Sequence, residues 1–204
     1  MTSCDTKEQI LNVAQHLFAE QGFAGTSLRS VVNEAEVNLS AVHYHFGSKE
    51  ELFVAVVARM AKVVVEGQLE KLAQCKAKKN SPTLEEILEA FLLPPLHVVL
   101  NSGDRRISCA RFMGRCRIEP EPLREKAEKY FEDSFEAYLD ALQRALPDQS
   151  RNQLQWKLDL VISVLIHVLI EVGKPGALIQ DTSIEGIQNT VSKLINFLAP
   201  GMRS

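Results

Sequence analysis

The chain has 204 residues, 46% of them apolar and 24% charged, with a formal net charge of −3. That is the composition of an ordinary globular protein with room for one large domain or two small ones. A pI of about 6.0 excludes a bulk basic surface as the source of any nucleic-acid affinity, so such a function must reside in a local motif.

Nearly every segment carries a helical period. Residues 6–21 place Ile10, Val13, Ala14, Leu17 and Phe18 on one face, with Gly22 as the stop. Two short helices follow over 27–34 and 38–45, with Thr26 and Asn38 as their N-caps. Ser48 and Glu51 form a capping box opening a long helix that runs to about Lys78, where Lys76 to Pro82 is a break. Next comes an apolar helix over 84–93, which Pro94-Pro95 should interrupt before Leu96 to Leu100 resume. Further helices are expected over 105–117, 121–146 and 149–173. A final helix follows, opened by a box of Thr182 and Glu185 and striped by Ile184, Ile187, Val191, Leu194, Ile195 and Leu198. No alternating pattern of useful length marks a strand. The expected fold class is all-α, with about nine helices: an N-terminal helix-turn-helix domain over 1–50 and a helical effector-binding and dimerisation domain over 51–204.

Residues 26–53 carry the function. Leu28, Val31, Val32 and Ala35 bury the first short helix, while Val37, Val42 and Phe46 anchor the second. The outward set is then Leu39, Ser40, His43, Tyr44 and His45. Two short helices joined by a tight turn, with hydrogen-bonding side chains on the outer face of the second, form a device for laying a helix in the DNA major groove. Ser and His can read base edges, and Tyr commonly bonds phosphate. The free amides at Asn38 suit phosphate, and Lys49 can neutralise another. Thr26, Ser27 and Arg29 complete the expected DNA-contacting set at the start of the first short helix. His43 and His45, two apart on a helix, point in different directions and are not a metal pair.

Residues 8–53 resemble the N-terminal domain of TetR-family transcriptional regulators. The resemblance is carried by Leu17-Phe18, Gly22-Phe23, Thr26-Ser27-Leu28-Arg29, Ala35, Val37, Tyr44-His45-Phe46 and Ser48-Lys49-Glu50-Glu51-Leu52-Phe53. Two positions depart from the family pattern. Glu36 stands where the turn usually has Gly, at a cost of about 1 kcal/mol if φ is positive. His43 stands where the reading helix usually has Tyr, with Tyr44 beside it. Residues 37–49, with Phe197 to Ser204 at the chain end, are similar to a branch of the family that responds to fatty acids or acyl derivatives.

One such motif reads few base pairs, so a homodimer on a pseudo-palindromic operator of double-stranded DNA is expected. Leu158 to Val172 is apolar nearly all round. The resemblance implies that helices 156–173 and 183–198 pair with their symmetry mates as a four-helix bundle. The helix over 105–117 is apolar on two sides, with Gly114 permitting close approach and several arginines between. Phe91, Arg111, Phe112, Met113 and Arg115 are the candidate effector-binding residues, forming an apolar pocket with a cationic mouth; surface pairing of the arginines with Glu119, Glu121, Glu125 or Glu128 is the plainer alternative.

The expected function is a dimeric repressor released from its operator by a small apolar or amphipathic effector. Alternatives are a DNA-binding regulator without such an effector, controlled by a protein partner or acting as an activator, and a redox sensor using Cys109 and Cys116. The four cysteines, Cys4, Cys75, Cys109 and Cys116, form no CxxC pair or metal-ligand spacing. No cofactor is expected, and neither a phosphate loop nor a nucleophile elbow points to an enzyme. The N-terminus reads as no secretory signal, and Asp159, His167 and Glu171 break the longest apolar run, so no membrane partner is expected and a reducing cytoplasm fits.

Overall fold

The computed structural model describes residues 3–78 and 80–204, with only the backbone for Ser3 and Cys4; the Cys4 side chain and Lys79, part of the expected break, lie outside the described residues. All regular structure among them is helical. Three helices build the head: α1 (Ser3–Gly25), α2 (Leu28–Glu34) and α3 (Leu39–Phe46). Ile10, Ala14, Leu17, Phe18, Val31 and Val42 close its core at 4% exposure or less. Gly22 does not end α1; it kinks it with φ +72°, and the helix continues to Gly25. The kink suits glycine, which takes positive φ without a Cβ penalty.

The long helix α4 (Lys49–Lys76) belongs to both halves of the chain. Ser48 Oγ accepts from the Glu51 amide at 3.1 Å, which caps it as expected. Its first turns pack on α1, and its remainder packs on α5 (Leu84–Leu100). Contrary to the expected interruption, α5 runs unbroken through Pro94 and Pro95. Its neighbour supplies the reason. Pro95 has no amide to give the Phe91 carbonyl, and buried Gln68 of α4 donates Nε2 to that carbonyl at 2.9 Å. Gly67 removes the other obstacle, since a Cβ there would stand 3.1 Å from Pro94 Cβ.

A 3₁₀ turn at Gly103–Arg105 precedes α6 (Arg106–Arg115). The single helix expected over 121–146 is broken into α7 (Leu123–Glu128), a 3₁₀ turn (Lys129–Phe131) and α8 (Glu132–Ala145). The last two helices are α9 (Arg151–Ile170), which packs on α6 and α8, and α10 (Ile184–Arg203), which packs on α5 and α9. Ser183, not Thr182, caps α10, accepting from the Gly186 amide at 3.1 Å, while the Thr182 hydroxyl receives Arg106 at 2.7 Å. α6 is sandwiched between α1 and α9. On the α9 side a Cβ at Gly114 would come within 3.2 Å of the Ile166 carbonyl, so glycine sets this spacing.

Candidate nucleic-acid interface

The reading helix is held by short-range contacts. Ser27, rather than Thr26, is the N-cap of α2: its hydroxyl and that of Ser30 cap each other's backbone amides at 3.0 and 3.1 Å. Asn38 Oδ1 accepts from the Ala41 amide at 2.7 Å and starts α3. Between them Glu36 takes φ +51°, the left-handed turn that the sequence leaves to a non-glycine. Val42 and Phe46 are buried and fix the roll of α3 against the core. That roll leaves Leu39, Ser40, His43 and Tyr44 exposed and His45 half-buried; Tyr44, at 83% exposure, is the most prominent. The Tyr44 and His45 rings meet edge to face at 5.1 Å. His43 Nδ1 donates to the Gly47 carbonyl at 2.7 Å, leaving Nε2 of the neutral ring as an acceptor.

The flanking candidates divide. Ser27 and Arg29 are exposed, and Arg29 forms no ion pair among the described residues. Thr26 is buried at 1% exposure, its hydroxyl donating to the Gly22 carbonyl at 2.9 Å, so it braces the kink instead of meeting solvent. Lys49 is drawn inward. Its ammonium donates to the Phe23 carbonyl at 3.0 Å and the Thr26 carbonyl at 2.9 Å, and lies 4.2 Å from the Phe23 ring centroid. It answers the carbonyl end of α1, where a cation is favoured.

The second-domain candidates also separate. Phe91 and Met113 line a cavity of about 640 Å³ among α4, α5, α6, α9 and the α7–α8 corner. Arg111, Phe112 and Arg115 do not line it; they face the head. Arg111 Nη1 reaches both carboxylate oxygens of Glu20 at 3.0 Å. Arg115 donates to the Ala19 carbonyl at 3.2 Å. Phe112, fully buried, meets Phe18 at 6.4 Å and Phe53 at 5.7 Å between ring centroids. Sequence spacing puts these residues on neighbouring faces of α6, but only the tertiary packing says which face meets the cavity.

Glu119, named from the sequence only as an arginine partner, and Gln68, which the sequence did not single out, complete the arrangement. Glu119 Oε1 accepts from the Phe23 amide at 3.0 Å, so Phe23 is held through its amide by the second domain and through its carbonyl by Lys49. Gln68, besides serving Phe91, accepts from the Ser134 hydroxyl at 2.7 Å, and its carbonyl accepts from the Tyr138 hydroxyl at 2.9 Å. These contacts join α4, α5 and α8 beside the cavity. The one sequence signal for Gln68 was the proline pair itself, whose missing amides require an outside donor.

The two cysteines of α6 are shielded. Cys109 is 4% exposed and Cys116 fully buried; burial raises both thiols, Cys116 to about 12. Such thiols stay protonated and unreactive.

A capped helix-turn-helix braced against a cavity-bearing helical domain defines a DNA-binding transcriptional regulator, not an enzyme. The model for bacterial regulatory proteins of the tetR family matches residues 10–56, and that for the tetracyclin repressor-like C-terminal domain matches residues 89–201. The chain belongs to the TetR family of transcriptional regulators.

It is 25% identical over 175 residues to the HTH-type transcriptional regulator LmrA of Bacillus subtilis (strain 168), covering 85% of this chain and 86% of that protein. The HTH-type transcriptional repressor AcnR of Corynebacterium glutamicum is 38% identical over only 69 residues, 32% of this chain and 37% of its own. A TetR-like regulator from Rhodococcus sp. RHA1 shares the fold with a TM-score of 0.70 at 19% identity, covering 99% of this chain and 98% of that one. The hemolysin II transcriptional regulator HlyIIR does so with a TM-score of 0.58 at 24% identity, covering 96% and 98%.

Proposed function

We propose that this regulator is a homodimeric repressor, released from a pseudo-palindromic operator when a small molecule with an apolar body occupies the cavity. One observation carries the reading: α6 serves both sites. Met113 of α6 and Arg117 just beyond its end line the cavity, and Arg111, Phe112 and Arg115 of α6 hold α1. A ligand that displaces α6 must therefore move the kink at Gly22 and the reading helix beyond it, changing the spacing of two heads on one duplex. In this reading the chain divides near residue 50 into a head and an effector-binding domain, with α4 crossing the division.

Ser40, His43 and Tyr44 are the proposed base- and phosphate-contacting residues, with Ser27, Arg29, Asn38, Leu39 and His45 flanking them. Thr26 and Lys49 set the position of the head. The dimer face is supported by a stripe of exposed residues along α9, Trp156, Leu160, Ser163 and His167, beside exposed Phe197 of α10. Trp156 is 61% and Phe197 74% exposed, an apolar surface of the kind that marks an interface. By length and composition α9 could cross a membrane; its core face on α6 and this exposed stripe account for its apolar residues in a cytoplasmic regulator. An acyl effector, implied by the local resemblance to the fatty-acid-responsive branch, loses support, because Arg111 and Arg115 are committed to α1.

Selection from randomised duplexes, read by fluorescence anisotropy, tests the reading. It should recover two inverted half-sites about one helical turn, or a multiple of it, apart, bound by two protomers with affinity falling steeply as salt rises. Equal affinity for selected and random duplexes would overturn it.

A further inference from the structure

The cavity has a definite charge asymmetry. Its inner surface is mostly apolar, with Val64, Phe91, Met113, Phe135, Ile162 and Leu165, and buried Gln68 and Ser134 add polar atoms to it. Three cations, Arg117, Arg124 and Lys129, stand at its edge, and two are already engaged. Arg124 is bound to Glu121, with Nε 2.9 Å from Oε1, and Lys129 lies 3.2 Å from Glu125. The third, Arg117, sits over the Phe131 ring at 5.4 Å. Of the four lining carboxylates, Glu128, Glu132 and Asp159 join no ion pair among the described residues. The edge therefore carries four carboxylates against three cations, two of which are already paired, over a mostly apolar floor.

We propose that this cavity takes an amphipathic cation, an alkyl or aryl body bearing an amine or quaternary ammonium group, with the cationic head against Asp159, Glu128 and Glu132. The proposal rests on the reading of the cavity as the effector site and names its ligand class. A cation there gains attraction from three carboxylates. An anion of the same body would meet the same carboxylates with Arg117 alone to favour it. Partial desolvation holds the Asp159 carboxyl above the usual carboxylate range, and Arg117 offsets part of this.

Calorimetry on the full chain with decyltrimethylammonium, decanol and decanoate, one body with three head groups, reads the preference directly. The cation should bind at least ~10-fold more tightly than decanoate, with decanol between. Asp159→Asn and the double change Glu128→Gln with Glu132→Gln should each weaken the cation several-fold and leave decanol unchanged, the unchanged decanol showing that the cavity is intact. Equal binding of the three probes, tighter decanoate, or no binding by any of them would overturn the proposal. Operator release is scored separately. A cation that binds by these criteria but leaves the operator complex in place would sink the release reading and leave the ligand class standing.

Discussion

The head and the effector-binding domain hold themselves together in opposite ways. In the head the polar contacts along the two short helices span three or four residues, Ser27 with Ser30, Asn38 with Ala41 and His43 with Gly47, while Gln9 to Ala35 and Lys49 to Phe23 and Thr26 reach further. In the second domain they span dozens, as in Ser134 to Gln68 and Tyr138 to Gln68. The head leaves exposed side chains in a fixed frame, whereas the second domain encloses a cavity between helices remote in sequence. A frame closed by local bonds is hard to reshape from a distance. Control of the head is therefore positional, exerted on the whole unit where α6 grips α1, and not by rearranging α3.

The most disruptive way to break this comparison is at the shared aromatic cluster. Phe112→Ala removes a fully buried ring packed on Phe18 and Phe53, and should cost about 3–5 kcal/mol of stability. Urea unfolding followed by two probes, one in each half, should then separate into two transitions. A single coincident transition would show that the halves are not held together through this ring. Gly114→Ala acts on the opposite side of α6. The added methyl meets the Ile166 carbonyl and the Ile170 side chain, so it should cost about 1–3 kcal/mol by overpacking. It should also weaken operator binding with no ligand present, since it pushes α6 from the side that faces α9. Unchanged operator affinity in a destabilised variant would argue against transmission through α6.

Tyr44→Ala probes the head alone. At 83% exposure the side chain contributes nothing to the core, and thermal stability should stay within about 0.5 kcal/mol. Operator affinity should fall by about 1 kcal/mol or more, measured by anisotropy at fixed salt. A variant that lost stability and kept affinity would reverse the roles assigned to the two regions.

The same contrast explains what the sequence disclosed. Caps, turns and amphipathic faces are local, so the helices of the head and their outward residues were legible from spacing, although the cap fell on Ser27 and not Thr26; the left-handed turn at Glu36 was legible only through the family resemblance. The single-helix reading of 121–146 failed because the corner at Lys129–Phe131 follows from the cavity it borders and not from a local breaker. Pro94-Pro95 misled for the complementary reason: the local rule is sound, but Gln68, on another helix, satisfies the carbonyl that Pro95 leaves open. Lys49 looked like a free phosphate-binding cation, yet two carbonyls at the end of α1 claim it. The arginines of α6 were legible as a cluster and illegible as to direction. Their partners Glu20 and the Ala19 carbonyl lie more than 90 residues away in the chain.

Glu36 supplies the finest test. Its φ of +51° places a Cβ in the left-handed region where glycine is favoured, and Glu36 lies in the turn that precedes the reading helix. Glu36→Gly should stabilise the head by about 1 kcal/mol, the conformational cost of a side chain in that region. It also removes a negative charge from the head, which should raise affinity for any duplex. Glu36→Gln separates the two effects, since it removes the charge and keeps the strained φ. It should leave thermal stability unchanged while raising non-specific affinity to the same extent as Glu36→Gly. If the glutamine variant matched the glycine variant in stability as well, charge repulsion and not backbone strain would be what this turn relieves.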